Sequence, residues 1–221
     1  MDNRRFWLGC GIAGIAGMVC YILAISIPWP ESQAGNSLSM IVVSAWPVFS
    51  IIYSYGMYTF IAAERDGAAN RLAFVFGVLA FSTVLSMVIV QLAVNAAFGE
   101  IAKGIESGTA TALSRGLKMV DLGLDIAWDI LVGVSMIFSA VALKGRTGFG
   151  IWWAAPVMVL GILMLGLNTA TFPWPPGEAG LFDIGPFVGT YMLVIAVRFI
   201  VLARREARSL NNEYMFDKQN E

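Results

Sequence analysis

The chain has 221 residues, of which 58% are hydrophobic and 13% are charged, against about 45–50% and about 25% in ordinary soluble domains. This composition excludes a soluble globular protein, and the formal net charge of −1 excludes a basic nucleic-acid-binding protein. Histidine is absent, so the commonest protein ligand of zinc and haem and the usual imidazole base are missing.

Six hydrophobic segments are each long enough to cross a bilayer, which takes about 20 residues. Four of them lie in uncharged stretches, whereas the fourth and sixth carry ionisable residues inside or at their ends. The predicted spans are 6–27, 39–63, 72–98, 119–143, 150–171 and 183–203. We therefore predict an all-α integral membrane protein, a six-transmembrane-helix bundle that forms one domain over 1–203 and ends in a polar tail at 204–221.

The distribution of Lys and Arg predicts the orientation of the bundle. Basic residues concentrate at the N-terminus, in the second and fourth loops and in the tail, whereas the first and last loops on the opposite face carry none. By the positive-inside rule, both termini are cytoplasmic and the protein lies in a cell membrane, inner or plasma. The first and last outer loops both contain the sequence Pro-Trp-Pro, at 28–30 and 173–175. This similarity arises either from a duplication or from convergence.

The third loop, at 100–118, lies on the outer face in this orientation. It combines apolar residues at helical spacing with glycines and with charges of both signs. This pattern predicts either an interfacial helix or an extension of the flanking helices beyond the membrane. Small residues elsewhere predict close helix packing at Gly11, Gly14, Gly17, Ser135, Ser139, Gly185 and Gly189.

Three carboxylates recur at intervals of four residues on the fourth span. Asp121, Asp125 and Asp129 therefore share one helix face over about 12 Å. Asp129 lies near the middle of its span, where a carboxylate is costly unless it is paired or faces water. We expect the three acids to share protons, hold a cation or pair with basic residues nearby.

Other polar residues of the spans fall at the same outer depth. Gln91 and Asn95 share a face of the third span, and Asn168 lies near the end of the fifth. Trp128 follows Asp125 by three residues, so its ring can face the same ligand. Together these residues predict an acidic vestibule open to the outside. The structural alternative is interhelical hydrogen bonding, worth about 0.6 kcal/mol for each residue.

The leading hypothesis is a membrane protein that binds, and in one version transports, a cation, proton or small cationic solute. Its site residues are Asp129, Asp125, Asp121, Trp128, Gln91, Asn95 and Asn168, with the question of a metal left open. The alternative is a structural, assembly or sensor subunit that packs against a membrane-protein partner or its own copies. An enzyme is disfavoured because no motif supplies a nucleophile and a base at one depth. We expect no cofactor and no nucleic-acid partner.

Overall fold

The computed structural model describes residues 3–27 and 32–219, apart from the side chains at 25, 33–34, 95–96, 99–100, 102 and 207–219. Throughout this part of the chain the regular structure is helical. The helices are α1 (Asn3–Ser26), α2 (Gln33–Ala62), α3 (Ala68–Lys103), α4 (Ser107–Lys144), α5 (Ile151–Thr171) and α6 (Gly185–Gln219). All six are long and apolar enough to cross a membrane. The prediction of an all-α, multi-pass membrane protein with six spanning helices is therefore confirmed.

The helices pack as a ring in chain order, and α6 closes the ring against α1. Neighbours run antiparallel, as short loops require. Trp7 near the start of α1 donates a hydrogen bond to Thr59 near the end of α2, over 3.2 Å. Asn70 at the start of α3 likewise donates to the carbonyl oxygen of Tyr58, over 2.9 Å. One end of the bundle, the terminal end, therefore holds the start of α1, the last turns of α6 and the α2–α3 and α4–α5 loops.

Three helices are much longer than a bilayer requires: α6 has 35 residues and continues through the predicted polar tail to Gln219, and α3 and α4 are longer still. α3 has 36 residues and α4 has 38, which correspond to about 54 and 57 Å at the helical rise of about 1.5 Å per residue. Of the segment 100–118, only 104–106 form the connecting loop, and the rest belongs to these two helices. The described chain therefore contains no separate helix in this loop.

α2 begins six residues earlier than the predicted span, at Gln33. Its N-cap is Ser32, whose side-chain oxygen accepts a hydrogen bond from the backbone N–H of Gly35 over 3.1 Å. Such a cap satisfies a backbone donor that the helix itself leaves free. Because capping is independent of hydropathy, a hydrophobicity pattern does not locate this boundary.

Small residues set the closest contacts between helices. A Cβ added at Gly14 would lie 2.7 Å from the ring of Tyr53, and one at Gly17 would lie 3.2 Å from a backbone oxygen of α2. The predicted packing of the α1 glycines is therefore confirmed. Gly161, which the sequence pattern did not single out, is packed as tightly. A Cβ added there would lie 2.8 Å from the carbonyl oxygen of Gly133. α4 and α5 thus meet backbone to backbone.

A buried arginine ties three elements together at the terminal end. Arg146 in the α4–α5 loop is 6% exposed and forms ion pairs with Glu64 after α2 and with Glu206 on α6. Its guanidinium carbon lies 4.1 Å from the ring centroid of Phe60, a cation–π contact. The terminal end is therefore held by charge pairs as well as by apolar packing.

Candidate functional site

A cavity of about 630 Å³ opens at the end of the bundle opposite the terminal end. It lies between α1, α2, α3, α4, α6 and the α5–α6 loop, and we call it the vestibule. The described residues that line it include four carboxylates and four aromatic rings but no Lys or Arg: Asp125, Asp129, Glu178, Asp183, Tyr21, Trp46, Phe81 and Trp128. Its walls are therefore acidic and aromatic.

Asp129 is the most buried of these carboxylates. It is 9% exposed, and its partner Asn168 on α5 is 2% exposed. The Asn168 side-chain nitrogen donates to Asp129 Oδ2 over 2.9 Å and also to the carbonyl oxygen of Met164 over 2.9 Å. The second carboxylate oxygen of Asp129 has no hydrogen-bond partner within the described residues. Asn168 thus fixes the carboxylate in place and leaves one acceptor available to a ligand.

Three aromatic rings form a row beside the acids. The Trp46 and Trp128 rings meet edge to face with their centroids 6.0 Å apart. The Tyr21 ring lies 4.5 Å from Trp46. The indole N–H of Trp128 is buried and finds no hydrogen-bond acceptor in the described part of the chain. This row offers aromatic faces to a cation.

Asp121 turns towards α3 instead of the vestibule. Its Oδ1 accepts a hydrogen bond of 2.6 Å from the side-chain nitrogen of Gln91, and neither residue lines the cavity. The reason is helical geometry: at about 3.6 residues per turn, the eight residues from Asp121 to Asp129 rotate the side-chain direction by about 80°. The side chain of Asn95 lies outside the described residues. The structure therefore brings together Asp125, Trp128, Asp129 and Asn168 from the predicted set.

Two further carboxylates come from the α5–α6 loop. Asp183 accepts a hydrogen bond of 2.8 Å from the backbone N–H of Gly185 at the start of α6. Glu178 forms an exposed ion pair with Lys118 on α4, over 3.2 Å. The sequence placed Asp183 at the vestibule depth, at the start of the sixth span, but not among the predicted site residues. Glu178 was missed, because a loop carboxylate gives no periodic signal. The loop's Pro-Trp-Pro segment also contributes to the vestibule, whereas its counterpart at 28–30 lies outside the described residues.

The carboxylates surround a space and do not converge on a point. Within the described residues, no three His, Cys, Asp or Glu side chains come together as a set of metal ligands. Acids distributed around a partly enclosed cavity still produce a negative potential that concentrates cations. The acidic residues are therefore distributed around the vestibule and do not form one cluster.

Comparison with known proteins leaves the site to be interpreted from its own chemistry. No protein-family model, characterised protein or solved structure matches the chain. What is established is the coarse class: the chain is a multi-pass membrane protein with six helices able to span the bilayer.

Proposed function

We propose that the vestibule binds a small cationic solute, with Asp129 as its central negative charge. The observation that supports this most is the composition of the walls, where aromatic rings accompany four carboxylates, of which only Glu178 is paired with a lysine, Lys118. A cation entering this space gains from charge attraction and from the ring faces together. Asn168 contributes by holding Asp129 in position through the hydrogen bond of 2.9 Å.

The size of the cavity favours an organic cation over a metal ion or a proton. A volume of about 630 Å³ falls within the range of about 300–1,000 Å³ that is typical of small-molecule sites. The dispersed carboxylates and the row formed by Tyr21, Trp46 and Trp128 match a methylated or alkyl ammonium group.

The distribution of charge supports an outward-facing site. The α1–α2 and α5–α6 loops at the vestibule end carry no Lys or Arg, whereas basic residues gather at the terminal end. The positive-inside rule then puts the terminal end in the cytoplasm and the vestibule on the other side of a cell membrane. In this orientation the site samples solutes outside the cytoplasm.

A comparison of choline with 3,3-dimethyl-1-butanol tests the proposal. The second compound has nearly the same shape and keeps the hydroxyl group, but it lacks the positive charge. In purified protein at constant ionic strength, choline at 100 times its Kd is expected to stabilise the fold by about 2.7 kcal/mol, and the neutral analogue to leave the melting temperature unchanged. Equal shifts from both compounds, or none from choline and from simple alkylammonium ions, would refute a cation site.

The alternative function, a structural, assembly or sensor subunit, stays a prediction. It requires a stable partner or a homo-oligomer, and no specific contact among the described residues favours it. A cation site that is lost in Asp129→Asn distinguishes the two functions, because an assembly subunit has no need of that charge.

A further inference from the structure

Two smaller cavities continue from the base of the vestibule towards the terminal end. The first, which we call the inner cavity, has about 100 Å³ and shares Phe81 and Met192 with the vestibule. The second, which we call the terminal cavity, has about 230 Å³ and shares Ile61 and Asn70 with the inner cavity. Each pair of neighbouring cavities therefore shares two side chains that line both.

α4 and the glycine that follows it contribute lining residues to all three cavities, in chain order. Asp125 and Asp129 line the vestibule, Ser135 and Ser139 line the inner cavity, and Gly145 after α4 lines the terminal cavity. The 20 residues from 125 to 145 span about 30 Å of helix. This length equals the thickness of the hydrocarbon core of a bilayer, about 30 Å. The cavities are thus stacked along α4 over a length close to that thickness, and the terminal cavity lies on the side of the helix away from Asp125 and Asp129.

Polar groups line part of the inner cavity, although this cavity lies within the bundle. Ser135 donates its hydroxyl hydrogen to the carbonyl oxygen of Ala73 over 2.8 Å, and Ser54 donates to that of Ser50 over 2.8 Å. Since both hydroxyls use their hydrogen in this way, their oxygen lone pairs are left to accept. A volume of about 100 Å³ exceeds the minimum of about 10–15 Å³ that holds one water molecule. The cavity can therefore hold several water molecules or a cation.

The boundary between the vestibule and the inner cavity is apolar. Phe81 on α3 is 3% exposed, and Met192 on α6 packs against the apolar cluster that contains Phe81. Apolar constrictions block ions by excluding water, and a small displacement opens them. Met192 is suited to such a displacement because its side chain is flexible. The second boundary pairs the apolar Ile61 with Asn70, whose amide is held by the Tyr58 carbonyl.

We propose that the three cavities are the closed form of a translocation pathway for the cation that the vestibule binds. Phe81 and Met192 form its first barrier, and Ile61 and Asn70 form its second. The nature of the solute rests on the proposed function, whereas the existence of the pathway rests on the stacked cavities. The pathway makes the protein a transporter or channel and not a receptor with a closed site.

Cysteine accessibility tests the first barrier. In a background that carries Cys10→Ala and Cys20→Ala, Ser139→Cys places a thiol in the inner cavity. The probe is 2-(trimethylammonium)ethyl methanethiosulfonate, a membrane-impermeant cation close to choline in size, added to the full chain in lipid nanodiscs. We expect slow modification with Phe81 in place and at least tenfold faster modification in Phe81→Ala.

Phe76→Ala is the matched control, because Phe76 is also on α3 but stacks on Phe138, with centroids 6.1 Å apart, and lines none of the three cavities. It is expected to leave the rate unchanged. If Phe81→Ala yields no folded protein, Met192→Ala opens the same barrier. Equal rates in the barrier variant and the control overturn the pathway.

Choline binding, measured in the same preparations, separates the two proposals. If choline binds and slows modification in the Phe81→Ala variant, both proposals are supported. If choline binds but opening the barrier does not accelerate modification, the pathway is refuted and the proposed site survives. If modification accelerates and choline does not bind, the pathway is supported and the proposed solute class is refuted.

Discussion

Asp129→Asn removes one charge from the base of the vestibule while it preserves the local shape. The amide oxygen of asparagine can accept the hydrogen bond that Asn168 donates to Asp129 over 2.9 Å, so the contact between α4 and α5 is retained. A neutral amide is also easier to bury than a carboxylate. We therefore expect the ligand-free variant to be as stable as the parent protein or more so, and to bind choline weakly.

The loss of affinity follows from Coulomb's law. A carboxylate and an ammonium group about 4 Å apart interact by about 1 kcal/mol in bulk water and by about 4 kcal/mol at an effective dielectric constant of about 20. Asp129 is 9% exposed but adjoins an open cavity, so its environment lies between these limits. We expect a loss of about 2 kcal/mol, which raises the Kd for choline about thirtyfold.

Isothermal titration calorimetry in detergent measures this Kd, and Asp121→Asn is the matched control. Asp121 carries the same charge on the same helix, but it is bonded to Gln91 and lies about 12 Å of helical rise from Asp129. At that distance in water a charge contributes about 0.3 kcal/mol, so the Kd should change less than twofold. Equal weakening in both variants would mean that overall charge, and not the vestibule, governs binding. Unchanged affinity in Asp129→Asn would refute the reasoning.

Three further predictions concern stability. Gly161→Ala is expected to cost about 1–3 kcal/mol, since the new Cβ would lie 2.8 Å from a carbonyl oxygen of α4. Gly166→Ala on the same helix has no neighbour within 4 Å and should stabilise by about 0.5–1 kcal/mol; equal effects in SDS unfolding would contradict the close packing. Arg146→Ala should lower the free energy of unfolding by about 2 kcal/mol in the same assay. This is less than the 3–5 kcal/mol of a fully buried pair, because the glutamate partners of Arg146 are about one-third exposed. An unchanged free energy of unfolding would mean that the ion pairs are not stabilising. Hydrogen bonding to Arg71 holds the pKa of Asp66 below its ordinary value. At a pH above the unfolded-state pKa of Asp66, the pair therefore stabilises the fold. This stabilisation is lost as the pH falls through the folded-state pKa. Arg71→Ala should therefore flatten the acid limb of the melting temperature, and an unchanged limb would contradict the pairing.

Hydropathy was sufficient for the six helices but not for their ends. A hydrophobic run of about 20 residues has few folded alternatives in a bilayer, which is why the number and order of the helices were predictable. The first turn of α2 depends on the Ser32 cap, and capping lies outside what a hydrophobicity pattern records. The extension of α3 and α4 into 100–118 was one of the two alternatives predicted for that loop, and the sequence pattern did not decide between them.

The part of the candidate site that lies on one helix could be predicted, because the depth and spacing of residues on a helix determine which side chains share a face. Asp125, Trp128 and Asp129 share a face of α4, and all three line the vestibule. Tyr21 and Trp46 were missed because they come from α1 and α2, and only the tertiary arrangement brings their rings to Trp128. Spacing by four also predicted a closer alignment of the three aspartates than the structure has. Each step of four residues rotates the side-chain direction by about 40°, and this rotation accumulates over the eight residues between Asp121 and Asp129.

The volumes of the cavities constrain how a solute could move along the pathway. The volume falls from about 630 Å³ in the vestibule to about 100 Å³ in the inner cavity, so passage of an organic cation beyond Asp129 requires the inner cavity to widen as well as the Met192 side chain to move. Of the neighbouring helices, α5 and α6 contact each other least, and α6 carries Met192. A shift of α6 away from α5 would widen the inner cavity and withdraw Met192 from Phe81 in one movement. The ion pair between Arg146 and Glu206 would meanwhile hold the terminal end of α6 in place, so the helix would pivot there and open on the vestibule side first.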